Sequence, residues 1–197
     1  MPGLPARAHP APADPVLADP VLADPVLADP VLATVVDTPI GPLSLLAHGG
    51  RLIAGGFTAD PGVMYARLAP PLRALPLDPA RPADLPWLAS PVAAYFDGDL
   101  RALDTIPVGQ PGPASRQRLW AALRAVPPGR TVSYTELAAR AGNPRAPRAA
   151  GAACAYNLIA PVVPCHRALR SDGSLGGYYY GLDRKTWLLR HEGARPE

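Results

Sequence analysis

The fold and the chemistry of this 197-residue chain centre on one short segment. Residues 159–167 read Ile159-Ala160-Pro161-Val162-Val163-Pro164-Cys165-His166-Arg167. The apolar run stops at Pro164, which predicts a brief buried extended segment. Cys165 then follows where a rigid segment ends, with two potential cations beside it. Such a setting can lower the pKa of a thiol from its ordinary value of about 8.5. The alternative is a buried structural cysteine.

The composition indicates one or two small domains in a reducing compartment. Hydrophobic residues make up 48% of the chain, and its 28 prolines exceed ordinary usage. The two cysteines, Cys154 and Cys165, are too few for a disulfide framework or a zinc site. The N-terminus lacks the apolar region of a signal peptide, and no stretch reaches the ~18 apolar residues of a membrane span. We therefore expect a cytoplasmic protein that needs neither metal nor cofactor.

Charge is distributed unevenly along the chain. Residues 1–33 carry a net charge of −3, residues 34–110 carry −2 and residues 111–197 carry +8. The basic C-terminal half points to a polyanionic partner, most simply nucleic acid. An ordinary solvated surface rich in arginine is the alternative, and charge alone does not separate the two.

The N-terminal residues are repetitive. Residues 13–32 are four copies of Ala-Asp-Pro-Val-Leu. A proline in every copy disfavours both a helix and a central strand, so we predict a disordered or extended tail over residues 1–33.

Residues 34–110 predict a small, mostly antiparallel α/β scaffold domain. Gly49-Gly50 is typical of a hairpin turn. The expected strands are 34–38, 43–48, 51–57 and 103–108, and the expected helices are 63–75 and 92–96, with a proline-broken loop at 77–87. The region has no cysteine and a single histidine, so no catalytic cluster is expected in it.

Residues 111–197 predict a helical domain after a linker at 109–113. Ser115 is expected to cap its first helix. The apolar face of that helix would hold Leu119, Trp120, Leu123 and Val126. Ser133 and Glu136 form a capping-box pattern, and Gly142 is a typical residue just past a helix end.

A second helix from Asn143-Pro144 to about Tyr156 would complete a helix-turn-helix. Its middle reads Arg148-Ala149-Ala150-Gly151-Ala152-Ala153-Cys154. Such small side chains cannot read base edges in a major groove, but they allow close approach to a minor groove. Tight helix packing is the alternative. Pro147 would remove a backbone hydrogen bond, so the helix is expected to begin irregularly or nearer Arg148.

Beyond the cysteine, a turn-rich loop at 170–177 leads into Tyr178-Tyr179-Tyr180 and a last helix over 182–191. The three tyrosines could form a slot for a planar base, or they could be core aromatics.

The run from Val132 to Gly193 resembles the O6-alkylguanine-DNA alkyltransferase family, the methylated-DNA–protein-cysteine methyltransferases. The specific motifs are Pro164-Cys165-His166-Arg167, residues 170–178, Trp187-Leu188-Leu189 and His191-Glu192-Gly193. Upstream, the family's spacing is matched by Val132-Ser133-Tyr134, Gly142-Asn143-Pro144, Arg148-Ala149 and Asn157. The resemblance implies an α+β fold, in which a small α/β domain precedes a helical domain with a winged-helix-like helix-turn-helix.

The resemblance also implies the activity. Such a protein flips O6-alkylguanine, and O4-alkylthymine, out of duplex DNA and transfers the alkyl group irreversibly to Cys165. Arg148 would fill the vacated space, and Tyr134 would press on the phosphate and meet the flipped base. The strip of Ala149, Ala150 and Gly151 would lie in the minor groove, and the protein would act as a monomer.

The remaining roles follow from the same resemblance. His166, oriented by Glu192, would take the thiol proton through a water, and Asn157 would brace the turn before the cysteine. Arg167 is then structural rather than an activating cation. The pocket would be lined by Cys154, Tyr178, Tyr179 and Tyr180.

The chain departs from the family pattern at several positions. Tyr180 replaces a usual glycine, Leu158 replaces the usual proline after Asn157, residues 115–118 lack a Phe-Gln pair, and Pro147 is extra. These changes leave the preferred size of the alkyl group open. The alternatives are a non-catalytic lesion sensor, a helix-turn-helix regulator and a cysteine hydrolase.

Overall fold

The structure is a computed structural model and describes residues 29–194. Most of the predicted tail over residues 1–33 lies outside this range. Residues 29–32 of the last repeat copy are described, and strand β1 (Val31–Val36) begins within them. The strand predicted over 34–38 therefore begins three residues earlier than expected. Pro30 precedes the strand instead of interrupting it, and the run that follows is apolar and rich in valine.

Four strands form the sheet of the first half, in the order β3-β2-β1-β4. Strands β2 (Leu43–His48) and β3 (Arg51–Gly56) pair antiparallel, and β1 pairs antiparallel with β2. The short β4 (Leu77–Pro79) pairs parallel with β1. The predicted hairpin is confirmed: Gly49 and Gly50 have φ angles of 55° and 69°, which glycine adopts without strain.

The helices of the first half differ from the prediction. The helix expected over 63–75 is two short helices, α1 (Pro61–Tyr65) and α2 (Pro70–Arg73), because Pro70 and Pro71 start a new helix rather than continue one. Helix α3 (Pro86–Phe96) begins well before the predicted 92. The expected loop over 77–87 instead holds β4, a 3₁₀ turn and the start of α3.

The strand predicted over 103–108 was also wrong. Residues Ala102–Thr105 form a 3₁₀ turn, in which Thr105 Oγ1 donates to the Ala102 carbonyl at 2.7 Å. A threonine side chain that bonds the nearby backbone in this way competes with strand pairing. Only Val108 joins the sheet, through a single parallel bridge to Leu52.

The second half contains α4 (Ala114–Arg124), β5 (Val132–Ser133), α5 (Tyr134–Arg140), α6 (Pro147–Ala155), β6 (Ala168–Leu169) and α7 (Leu182–His191). The capping box is confirmed, with Ser133 N–H donating to Glu136 Oε2 at 2.7 Å and Glu136 N–H to Ser133 Oγ at 3.1 Å. Ser115 is not a cap, because α4 begins at Ala114 after Pro113.

Helix α6 begins at Pro147, not at Asn143-Pro144. Proline is favoured at the first helical position, because its missing N–H would have no partner there. The start near Arg148 was therefore predicted correctly, and Pro147 imposes no penalty on the helix.

One hydrophobic core joins the two halves. Buried side chains of the sheet and of α3, such as Leu52 and Leu88, belong to the same cluster as Trp120, Leu137 and Val163. Trp120 Nε1 also donates to the Ala153 carbonyl at 2.9 Å and so ties α4 to α6. The predicted mixed α/β fold is confirmed. Among residues 29–194, no helix is long and apolar enough to cross a membrane.

Candidate active site

The segment of residues 159–167 forms a buried turn. Ile159 makes one bridge to Gly55 of β3, and Val163 N–H then donates to the Ile159 carbonyl at 2.7 Å. Cys165–Arg167 is a 3₁₀ turn. The prediction of burial is confirmed, but the extended conformation was wrong, because Pro161 and Pro164 have no N–H to continue a strand ladder.

Asn157 braces this turn, as predicted, and it also reaches the thiol. Its Nδ2 donates to the Val163 carbonyl at 2.7 Å and to Cys165 Sγ at 3.1 Å. Its Oδ1 accepts from Ile159 N–H at 3.0 Å. One buried amide therefore fixes both ends of the turn and the position of the sulfur.

The departure at Leu158 has a structural explanation. The backbone N–H of Leu158 donates to Gln110 Oε1 at 2.6 Å, and its carbonyl accepts from Gly55 N–H at 2.7 Å. A proline at this position would have no N–H to donate to Gln110. Gln110, which was predicted to be part of a linker, is buried and contributes to the site in this way.

Glu192 accepts hydrogen bonds from several polar groups on the buried side of the cysteine. It caps the C-terminus of α7 and is 4% exposed. Its Oε1 accepts from His166 Nε2 at 3.0 Å and from the Tyr95 hydroxyl at 2.8 Å. Arg167 donates through Nη2 to Oε1 and through Nε to Oε2, each at 2.8 Å. We call these four residues, Glu192, His166, Arg167 and Tyr95, the Glu192 cluster.

Among the described residues, Arg167 donates three hydrogen bonds, two of them within the cluster. Its guanidinium makes a bidentate ion pair with Glu192 and donates a further hydrogen bond to the Val126 carbonyl. A planar guanidinium suits this fork-like geometry. Arg167 therefore has the structural position that the resemblance implied.

Burial governs the protonation of the site. It raises the pKa of the Cys165 thiol, although the hydrogen bond from Asn157 and the charge of Lys185 act the other way. The two potential cations next to Cys165 in the sequence therefore do not lower its pKa, because desolvation disfavours a thiolate more than the hydrogen bond from Asn157 and the charge of Lys185 favour it. Burial likewise lowers the pKa of His166, against the opposing effect of Glu192.

Glu192 stays ionised in this setting. Burial acts to raise its pKa, but the hydrogen bonds from His166 and Arg167 and the charge of Arg167 outweigh it and hold the pKa well below the ordinary value. Because an ionised carboxylate only accepts hydrogen bonds, His166 Nε2 must carry its proton. Nδ1 is then unprotonated, and it has no hydrogen-bond partner within residues 29–194. This nitrogen can accept a proton.

Cys165 also lines a cavity of about 270 Å³. This volume is slightly below the ~300–1,000 Å³ usual for small-molecule sites. Its other lining residues are Tyr134, Gly151, Cys154, Ala155, Asn157, Gly177, Tyr178, Tyr179 and Tyr180. The predicted pocket residues are thus all brought together. We call Tyr134, Tyr178, Tyr179 and Tyr180 the tyrosine wall.

Tyr180 is anchored in the first half of the chain. Its ring packs edge-on against Phe57 with centroids 5.6 Å apart, and its hydroxyl lies 3.4 Å from the Gly55 carbonyl oxygen. A Cβ at Gly56 would lie only 2.1 Å from that hydroxyl, so a glycine is needed there. The ring therefore lines the cavity without being free to swing across it.

The predicted DNA-contact residues of α6 divide between two faces. Arg148 and Ala149 are exposed, and Gly151 lines the cavity. Ala150 is fully buried, so its assignment to a DNA-facing strip was wrong. A helix turns about 100° per residue, and consecutive residues therefore cannot all face one partner.

The sequence did not indicate that Tyr95 contacts Glu192. Tyr95 lies in the first half of the chain, for which only a scaffold was predicted. No local pattern marks it as part of the site. The available signal was general: a tyrosine on the apolar face of a helix needs a partner for its hydroxyl.

Comparison with known proteins identifies the same family that the sequence motifs resemble. A family model described as "6-O-methylguanine DNA methyltransferase, DNA binding domain" matches residues 114–194. A methylated-DNA–protein-cysteine methyltransferase of Salmonella typhimurium is 47% identical over 106 residues, which are 54% of this chain and 62% of the relative's length. The protein of the same name from Mycobacterium bovis is 37% identical over 169 residues, which cover 81% of this chain and 91% of that relative.

The crystal structure of Mycobacterium tuberculosis OGT in complex with DNA matches with a TM-score of 0.68 and 33% identity, covering 83% of this chain and 93% of that one. The similarity thus extends over both halves of the described chain, including the sheet and α3. By its identity to relatives over most of their length and by its fold, the chain belongs to the methylated-DNA–protein-cysteine methyltransferase family.

Proposed function

We propose that the protein repairs DNA by moving the alkyl group of O6-alkylguanine, and of O4-alkylthymine, onto Cys165. The observation that carries the proposal is the position of Cys165 between the cavity and the Glu192 cluster. A thiol at a cavity wall can meet a substrate carbon, and the adjacent imidazole can take its proton. A buried structural cysteine would need neither neighbour.

In the first step the thiol loses its proton. Because Cys165 and His166 are adjacent in sequence, we propose that a water passes the proton from Sγ to His166 Nδ1. The imidazolium that forms is stabilised by Glu192, whose Oε1 lies 3.0 Å from Nε2. Burial raises the thiol pKa, so Cys165 rests as the neutral thiol until its proton is taken by His166.

In the second step the thiolate attacks the alkyl carbon in line with the bond to O6. The carbon–sulfur bond forms as the carbon–oxygen bond breaks, and the electron pair leaves with guanine. Tyr134 is a suitable donor to the departing ring, because burial and the two nearby cysteines raise the pKa of its hydroxyl and keep it protonated. The product is a thioether with no easy leaving group, so each molecule reacts once.

The exposed end of α6 supports a role in extruding the base. Arg148 lies at the start of the helix, exposed, with Ala149 beside it. Flipping a nucleotide costs a few kcal/mol, and less for a lesion that pairs badly. We propose that Arg148 fills the vacated stack while the small residues let the helix approach a minor groove. We also propose that this region is a winged-helix-like DNA-binding element and that the protein acts in the cytoplasm.

The test follows a label from the DNA to the protein. Duplex DNA with O6-methylguanine, labelled in the methyl group, is incubated with the wild-type chain, with Cys165→Ala and with Cys154→Ala. We expect transfer of about one label per molecule to the wild type and to Cys154→Ala, and none to Cys165→Ala.

Three results would contradict the proposal. Repeated turnover would indicate a hydrolase, and transfer that survives Cys165→Ala would indicate another acceptor. Tight binding of the lesion without transfer would indicate a non-catalytic lesion sensor.

A further inference from the structure

Tyr95 connects the first half of the chain to the proposed proton acceptor. It lies on α3, 97 residues before Glu192, and its side chain is fully buried. Its hydroxyl donates to Glu192 Oε1 at 2.8 Å. The same oxygen also accepts from His166 Nε2 and from Arg167 Nη2, so three donors share one site of negative charge.

The surroundings of Tyr95 fix its hydroxyl in this position. Its ring packs edge-on against His191 and Phe96, with centroids 5.1 Å away in each case. His191 Nε2 lies 2.8 Å from the Tyr95 carbonyl oxygen, which ties α3 to α7 a second time. Burial and the charge of Glu192 both raise the pKa of Tyr95, so the hydroxyl remains a donor across the working pH range.

We infer that Tyr95 is a positioning residue that keeps His166 neutral by taking up part of the negative charge on Glu192 Oε1. The inference rests on the proposed function, because a neutral His166 matters only if it accepts the thiol proton. A carboxylate whose negative charge interacts with an imidazole alone stabilises the imidazolium and so raises the pKa of that imidazole. Every further donor on the same oxygen weakens this effect, and the Tyr95 hydroxyl adds one to the donor that Arg167 already provides.

Other charged groups also act on His166. Arg167 and Lys185 both oppose its protonation, and Glu192 favours it. The Cys165 thiol is adjacent and neutral, and His191 contacts Tyr95 rather than Glu192. Removal of the Tyr95 hydroxyl changes none of these groups, so its effect on His166 can be isolated.

The experiment compares Tyr95→Phe with Tyr65→Phe. The first substitution keeps the buried ring and removes the hydroxyl from Glu192. The second removes a hydroxyl of the same half of the chain that lies far from Glu192 in sequence and bonds the carbonyls of Arg73 and Leu75. For each variant, the pKa of His166 is measured by NMR titration, and the rate of label transfer is measured as a function of pH.

For Tyr95→Phe we expect the pKa of His166 to rise by about half a pH unit or more, which is about a threefold gain in proton affinity. The acid limb of the rate profile should move to higher pH by the same amount, because His166 then becomes protonated sooner. Affinity for lesion DNA, measured in a Cys165→Ala background, should stay within about twofold. Tyr65→Phe should leave both the pKa and the limb unchanged.

An unchanged His166 pKa, or a uniform fall in rate with no movement of the limb, overturns the inference and leaves Tyr95 a packing residue. The proposed function fails separately, when the wild-type chain itself transfers no label. Even then the titration still decides whether Tyr95 tunes His166.

Discussion

Cys165 divides the site into two regions that are built differently. On one side is the Glu192 cluster, in which one carboxylate accepts four hydrogen bonds and the exposed fraction of Glu192 is 4%. On the other side is the tyrosine wall, whose members range from half-buried to exposed, with Tyr179 at 63%. Transfer of a proton requires fixed donors and acceptors, whereas accommodation of a substrate tolerates variation in the rings that surround it. Substitutions in the Glu192 cluster should therefore reduce rate and stability, whereas substitutions in the tyrosine wall should mainly change which substrates are accepted.

The largest effect is expected for Glu192→Gln. The change removes the charge that balances Arg167 and leaves a buried guanidinium unpaired, which costs about 3–5 kcal/mol. It also removes the stabilisation of the imidazolium, so label transfer should fall by about 100-fold. Denaturant unfolding and single-turnover transfer measure the two effects. A rate and a stability close to those of the wild type would show that the cluster is not the proton-handling side.

The same variant tests the pH dependence of stability. The folded state holds the pKa of Glu192 well below its unfolded value of about 4.3, so its contribution is complete above that pH and is lost as the pH falls through the folded pKa. The wild-type chain should therefore lose stability below about pH 4.5, and Glu192→Gln should lose less in this window. Urea midpoints at several pH values measure the difference.

A smaller effect, on the same side, is expected for Asn157→Ala. It removes the two hydrogen bonds that brace the turn and the one to Cys165 Sγ. A buried group left unsatisfied costs about 1–3 kcal/mol, and the thiol pKa should rise further because its hydrogen bond opposes the effect of burial. Thiol titration with a small alkylating reagent measures the pKa. An unchanged thiol pKa would show that Asn157 supports the turn but does not influence the thiol.

On the cavity side, Tyr180→Ala should change substrate choice more than rate. Removal of the ring widens the cavity next to Cys165 and removes the ring contact with Phe57. The loss of folding stability should be about 3 kcal/mol or less, since the residue is only partly buried. Transfer of larger groups, such as benzyl, should gain relative to methyl. Tyr180→Phe is the matched variant, because it removes the hydroxyl near the Gly55 carbonyl and keeps the ring. A ratio of benzyl to methyl transfer that does not move in either variant would remove Tyr180 from the determinants of specificity.

The smallest effect is expected for Ser133→Ala, which lies outside both regions. The substitution removes the cap of α5 and should cost about 1 kcal/mol of folding stability. Transfer by the folded protein should be unchanged, which single-turnover kinetics under stabilising conditions would check. A large loss of transfer would mean that α5 positions Tyr134 more tightly than its own packing indicates.

Local patterns predicted the elements whose determinants lie close together in the chain. The capping box at Ser133, the end of α5 at Gly142 and the last helix over 182–191 were all correct, since each depends on residues within a few positions of one another. Local patterns failed where proline or distant packing decided the outcome, as at 63–75 and 103–108.

The sequence alone, through the resemblance of its Pro164-Cys165-His166-Arg167 and His191-Glu192-Gly193 motifs to a known family, was sufficient to predict the site residues Cys165, His166 and Glu192. It could not give the protonation state of the thiol, which depends on how deeply the folded chain buries Cys165. Nor could it place Tyr95 on Glu192, a contact between residues 97 positions apart. Only the tertiary structure brings α3 against the end of α7, because long-range packing of apolar faces carries no local signature. The first half of the chain, which by sequence is a scaffold, thereby becomes part of the site.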